Sequence, residues 1–136
     1  MTKRIFDLLI SLLFLTLAAP IILLLLVVLT IYTKGHPIFS QIRIGRYNRA
    51  FRFYKFKTMM DSNSSEWKPE LDDERITFLG RYLRRLSLDE IPQFWNIIKG
   101  DMSLVGPRPL PDEYLPLYSS QQLRRHAVKP LSLIHI

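Results

Sequence analysis

Residues 5–33 carry a single charge, at Asp7, and contain nine consecutive aliphatic residues at 21–29. No polar face can be drawn on such a stretch, so an amphipathic surface helix is a poor fit. About 20 apolar residues span a hydrocarbon core, and this stretch is longer. A cleaved signal peptide has a shorter apolar region and a small-residue cleavage site, whereas Tyr32-Thr33-Lys34-Gly35-His36 follows here. The chain therefore contains a membrane-inserted helix, assigned to residues 1–34. Pro20 lies near its middle, where a missing N–H weakens or kinks a helix. Both flanks are basic, with Lys3 and Arg4 before and Lys34, Arg43 and Arg46 after. Basic flanks favour the cytoplasm, and one crossing cannot place both there. A re-entrant helix that bends at Pro20 and returns satisfies both, since each half of about 14 residues is too short to span. An ordinary spanning helix with a tolerated proline is the other reading.

The remainder is long enough for one domain and not for two. The formal charge is +7 and the pI about 9.9, which fits an anionic partner. The charge is also local. Six cations and no acid lie between Arg43 and Lys57; six acids and one lysine lie between Asp61 and Glu74. Such a patch and counter-patch describe a folded surface with a site, unlike a basic nucleic-acid tail. No nucleic-acid motif accompanies the basic segment. The absence of cysteine excludes disulfides, thiolate metal sites and a cysteine nucleophile.

Two β-prone runs, 37–44 and 51–57, flank a turn with Gly45 and Asn48 and predict a β-hairpin. Residues 61–73 read as a loop. Over 74–86, Ile76, Leu79, Leu83 and Leu86 recur at helical spacing. A short helix is expected over 92–99, opened by Pro92 and stopped at Gly100. Gly106-Pro107-Arg108-Pro109 is expected to be irregular, and a last helix to cover 114–126. The fold class is α+β: a membrane helix, then a small helical domain with a hairpin.

Three constellations carry chemistry. Ser87-Leu88-Asp89-Glu90 matches a capping box, with Pro92 arguing against that use. With the helix starting at Pro92, Asp89 and Glu90 sit just ahead of it. One carboxylate can then serve as a nucleophile toward phosphorus and the other can hold a magnesium ion. In Gly106-Pro107-Arg108-Pro109 the prolines restrain Arg108, whose guanidinium suits bidentate phosphate recognition; a solvated surface turn is the commoner case. Strand alternation places Lys55 and Lys57 on one face with Phe51 and Phe53, suited to phosphate or to a lipid headgroup layer; taken alone, a half-buried strand with one wet face is the commoner case.

In order along the chain, these pieces resemble the bacterial sugar transferase family of small monotopic polyprenyl-phosphate phosphoglycosyl transferases. The likeness is carried by Lys3-Arg4-Ile5-Phe6-Asp7, residues 35–45, Phe53-Tyr54-Lys55-Phe56-Lys57-Thr58-Met59, residues 83–93, 96–100 and 102–110, and Arg125-His126-Ala127-Val128-Lys129-Pro130. It implies that Asp89 attacks the β-phosphate of a UDP-sugar, that UMP leaves, and that polyprenyl (undecaprenyl) phosphate then takes the phosphosugar from Asp89. The product would start exopolysaccharide, lipopolysaccharide or glycoconjugate synthesis. Glu90, with Asp89, would bind Mg²⁺; Lys55, Arg84 and Arg108 would contact phosphates or support the site. The implied setting is the bacterial inner membrane, with the catalytic part, residues 35–130, facing the cytoplasm. Two departures stand out: Ala19 precedes Pro20 where the family has serine, and Lys57 stands where it usually has arginine. Residues 131–136 have no counterpart in the pattern and read as a non-native tail on a C-terminally truncated domain. The competing reading from another class is a non-catalytic membrane anchor with a basic interaction domain.

Overall fold

Residues 2–60, 75–111, 116–119 and 121–135 are described by a computed structural model. The apolar stretch forms one helix, α1 (Thr2–Tyr32), helical through Pro20. It is long and apolar enough to cross a membrane. One stripe of it is covered, however: Asp7, Ser11, Ala18, Leu25 and Leu29 are buried at steps of four or seven residues. Such steps return to one helix face. The opposite side, with Phe6, Leu9, Leu13, Leu17 and Leu24, is exposed.

The hairpin forms as expected. β1 (Ile38–Ile44) pairs antiparallel with β2 (Ala50–Phe56), with Ile38 opposite Phe56 and Ile44 opposite Ala50. A 3-10 turn, Arg46–Asn48, joins them, with Tyr47 and Asn48 at positive φ.

The expected helix over 74–86 begins later. α2 is Phe78–Arg85, capped by Thr77, whose Oγ1 accepts from the Gly80 N–H at 2.9 Å. Ile76 belongs to a β-bridge with Met59 and not to the helix. Of the predicted apolar positions, Leu83 is buried and Leu79 packs on the core, while Leu86 is exposed. Gly80 permits this docking, because a Cβ there would lie 2.1 Å from the Thr58 carbonyl oxygen. α3 is Gln93–Lys99, preceded by Pro92 and ended by Gly100 at φ +98, a conformation glycine adopts without penalty.

β3 (Ser103–Gly106) pairs in parallel with β4 (Leu131–His135). Gly106 is thus part of a strand, a correction to the expected irregular Gly106–Pro109 turn. Only Pro107 and Pro109 lack the donor that pairing needs. Where a last helix was expected, Gln122–Ala127 is 3-10 helical. Residues 114, 115 and 120 of that prediction, and the predicted loop over 61–73, fall outside the described residues.

Two apolar clusters hold these parts together, and α1 enters both. Phe51, Phe53, Phe94, Ile97, Met102 and Leu104 form one, with Leu15 packed on it. Phe14 adds a stacked contact to Phe94, with ring centroids 4.2 Å apart. Leu25, Leu29, Phe56, Leu83 and Ile91 form the other. Polar anchors fix the N-terminal end of α1. Buried Asp7 accepts from Ser103 Oγ at 2.8 Å and from the Leu104 N–H at 3.4 Å. Arg4 donates to the carbonyls of Ile97 and Ile98. Buried Asn96 docks α3 on β2, donating to the Arg52 carbonyl at 2.7 Å and accepting from the Tyr54 N–H at 3.3 Å. Leaving such a buried group unpaired costs about 1–3 kcal/mol.

Candidate active site

After α2 the chain reverses at Ser87, held in the left-handed region at φ 55. Its hydroxyl makes no cap, so the capping box suggested by Ser87 and Glu90 does not form. A 3-10 turn, Leu88–Glu90, follows, closed by Glu90 N–H to the Ser87 carbonyl at 3.3 Å. The turn directs Asp89 inward, where it is 5% exposed, and leaves Glu90 half-buried.

Lys55, near the end of β2, meets Asp89 at 3.8 Å between Nζ and Oδ2. Beside it lies a recess of about 260 Å³ lined by Arg43, Lys55, Lys57, Arg75 and Arg84, with Phe39 on its wall. Arg84, projecting from α2, donates from Nε to Thr58 Oγ1 at 2.9 Å. Asp89, Lys55 and Arg84 are therefore brought together from three separate elements. Arg108 is exposed, but close enough that its charge acts on both Glu90 and Arg43. Pro20 lies on the exposed side of α1, away from this group.

The charges are strained against one another. Burial pushes the Glu90 carboxyl above its ordinary range, and the adjacent Asp89 adds to this; Arg108, Lys55 and a hydrogen bond from Gln93 pull the other way. Burial lowers the Lys55 ammonium, Asp89 opposes that shift, and Arg84 reinforces it. Burial also lowers Arg43, helped by Arg108.

The raised Glu90 carboxyl sets a pH prediction. In the folded chain it holds its proton to higher pH than in the unfolded chain, so stability falls as pH rises through the window between those values. Glu90→Gln is always neutral. It is therefore expected to melt at a higher temperature than the parent chain at pH 8, with the gap closing as pH falls toward 4.5. Thermal unfolding across that range checks this; a variant less stable at pH 8 contradicts it.

Sequence reasoning passed over Arg43 as one cation among six. The structure gives it a joint role. It donates to the Pro109 carbonyl at 2.7 Å and to Gln41 Oε1 at 2.9 Å, and its guanidinium lies 4.9 Å from the Phe53 ring centroid. With the Ile44 N–H bonded to the Leu110 carbonyl, it ties the Arg108 loop to the hairpin. Its place on β1 opposite Phe51, one diagonal from Phe53, accounts for the ring contact.

Against known proteins, residues 1–131 match the profile of the family described as bacterial sugar transferase. The sugar transferase EpsL of Bacillus subtilis is 45% identical over 128 residues, covering 94% of this chain and 63% of that protein. The UDP-N-acetylgalactosamine-undecaprenyl-phosphate N-acetylgalactosaminephosphotransferase of Aeromonas hydrophila is 38% identical, over 94% of this chain and 31% of its own length. The UDP-glucose:undecaprenyl-phosphate glucose-1-phosphate transferase of Klebsiella pneumoniae is also 38% identical, over 94% and 29%. The chain thus spans about three-fifths of the first relative and under a third of the others.

Proposed function

The chain belongs to the bacterial sugar transferase family, and from that membership we propose that it is the part of a phosphoglycosyl transferase that moves a sugar-1-phosphate from a UDP-sugar to undecaprenyl phosphate at the cytoplasmic membrane face. The observation that carries this reading is Asp89, a buried carboxylate 3.8 Å from Lys55 and beside a recess lined by five cations. A nucleoside diphosphate brings negative charge that such a recess complements. The names of the Aeromonas and Klebsiella relatives supply the donor and acceptor classes.

In the proposed reaction an Asp89 carboxylate oxygen attacks the β-phosphorus. The bond from that phosphorus to the bridging oxygen breaks, and UMP leaves with the oxygen. The phosphosugar, now an acyl phosphate on Asp89, is attacked by the acceptor's phosphate oxygen, which frees the carboxylate and makes a diphosphate-linked sugar. The Lys55 ammonium, 3.8 Å from Oδ2, pairs with the Asp89 carboxylate and positions it for attack. Arg84 is held by Thr58, and the Arg108 loop is tied by Arg43; both present charge that offsets developing negative charge on phosphate.

Magnesium fits the donor set in one way. Among the described residues no group of three His, Cys, Asp or Glu side chains could cage a metal. Mg²⁺ is commonly held by one or two carboxylates together with substrate phosphates, and Asp89 and Glu90 supply that pair. Burial first, and then repulsion from Asp89, raises Glu90; a divalent cation held by these carboxylates would relieve the second. When bound, the ion would neutralise diphosphate charge.

The test uses a chimera in which residues 1–131 replace the matching segment of the Bacillus relative. Supplied with UDP-sugars, Mg²⁺ and undecaprenyl phosphate, it is expected to release UMP with at least one sugar, with steady turnover only when the lipid is present. A folded, membrane-bound chimera that releases no UMP with any sugar would favour the plain-anchor reading.

A further inference from the structure

A second basic recess lies at the first turns of α1, far from Asp89. It has a volume of about 310 Å³ and is bounded by Lys3, Arg4, Asp7, Arg46, Ser103 and Lys129. Arg46 is in the hairpin turn, whereas Lys55 is at the other end of β2. Five strand residues separate their ends, about 17 Å at the usual rise.

The cations here are positioned by carbonyl oxygens, which orient them without neutralising them. Lys3 Nζ donates to Val105 at 3.2 Å, Arg46 Nε to Ala127 at 3.0 Å, and Arg4 to Ile97 and Ile98. Among the described residues, none of the four forms an ion pair within 4 Å. Asp7 is engaged with Ser103 and Leu104. Lys129 is pushed below its ordinary range by burial and then by Arg4, with Arg46 adding to the shift and Asp7 and Asp101 opposing it. Three cations held by carbonyls, with Lys129 beside them, outnumber Asp7, the one acid lining the recess, and make a site for an anion. The location narrows the choice. Phe6, Leu9 and Leu13, all exposed, begin one turn beyond Lys3 on the apolar side of α1. A phosphate bound in the recess would sit at the rim of the surface that faces lipid, at headgroup depth.

We infer that this recess binds the phosphate of an anionic phospholipid and so fixes the first turns of α1 at the bilayer surface. The inference rests on membrane association of α1 and not on the transfer reaction. A free phosphate shares the chemistry, so the experiment separates the two.

The 136-residue chain is reconstituted in phosphatidylcholine vesicles doped with spin-labelled phosphatidylglycerol or spin-labelled phosphatidylcholine. The motionally restricted fraction in the electron spin resonance spectrum gives the relative affinity. Phosphatidylglycerol is expected to be preferred about fivefold or more, from roughly 1 kcal/mol per cation near a surface. Excess inorganic phosphate, at matched ionic strength, should leave the preference in place. Lys3→Gln/Arg46→Gln/Lys129→Gln should abolish it, Arg46→Gln alone should weaken it, and Arg52→Gln, on the exposed outer side of β2, should not change it. No preference in the parent chain, its loss to inorganic phosphate, or its survival in a folded triple variant would each overturn the assignment. If the triple variant does not fold, an unchanged preference in Arg46→Gln overturns it, because that side chain is exposed and its loss leaves the core intact.

Discussion

Asp89→Asn is expected to reduce UMP release by the chimera on the order of 10⁴-fold or more, the scale seen when a catalytic nucleophile is removed. Asparagine keeps the size and shape of the side chain and removes the attacking oxygen's charge. Its effect on folding should be small in comparison, because the pair with Lys55 is 3.8 Å long and Lys55 is partly exposed. The chemical and structural effects therefore separate. The variant should keep its thermal midpoint within a few degrees while losing turnover. Lys55→Met should lower turnover less, since it removes a positioning charge and leaves the nucleophile. Turnover by Asp89→Asn within tenfold of the parent would remove Asp89 from the role.

The second large effect concerns the orientation of α1. A 31-residue helix is about 46 Å long, and a hydrocarbon core is about 30 Å thick. Were α1 to cross, its buried stripe would carry the packed domain with it into the hydrocarbon. Lys3 and Arg4 bind the domain at one end of α1; Leu29, near the other, packs on Phe56, Leu83 and Ile91. Placing the polar hairpin and α2 in lipid would cost several kcal/mol for each unpaired group. Both ends of α1 are therefore expected on one side. The chain has no cysteine, so Thr2→Cys and His36→Cys give clean single labels. In intact cells both should resist a membrane-impermeant thiol reagent added outside, and both should react in inverted vesicles. Labelling of one residue from each side would establish a crossing.

Local chemistry made much of this fold legible in the sequence. The apolar run, the two strands around Gly45 and Asn48, and a short helix between Pro92 and Gly100 are all written in neighbouring residues. The start of α2 was misplaced because Ile76 continues the helical spacing by coincidence; its backbone instead bridges Met59. The β3–β4 pairing was hidden for another reason. Parallel strands are joined by long connections, and no short-range pattern marks the partner. Within the candidate site, Asp89, Lys55 and Arg84 were legible through the ordered family motifs. The contacts of Arg43 and, outside the site, of Asn96 were not, although both residues lie in those motifs, because their partners lie 66 and 44 residues away. A charged residue in a basic run and an asparagine in a short helix carry no sign of such contacts. The recess around Lys3, Arg46 and Lys129 was missed on the same ground: its cations come from three distant segments.

The most direct measurement on the proposed reaction is the mass of the Asp89 peptide. The chimera, incubated with the UDP-sugar it accepts but without undecaprenyl phosphate, is quenched, digested and analysed by mass spectrometry. The expected result is a peptide containing Asp89 that is heavier by one phosphosugar, absent from Asp89→Asn and discharged when undecaprenyl phosphate is added before quenching. An enzyme that turns over while leaving the Asp89 peptide unmodified, or that carries the phosphosugar on another residue, would contradict it.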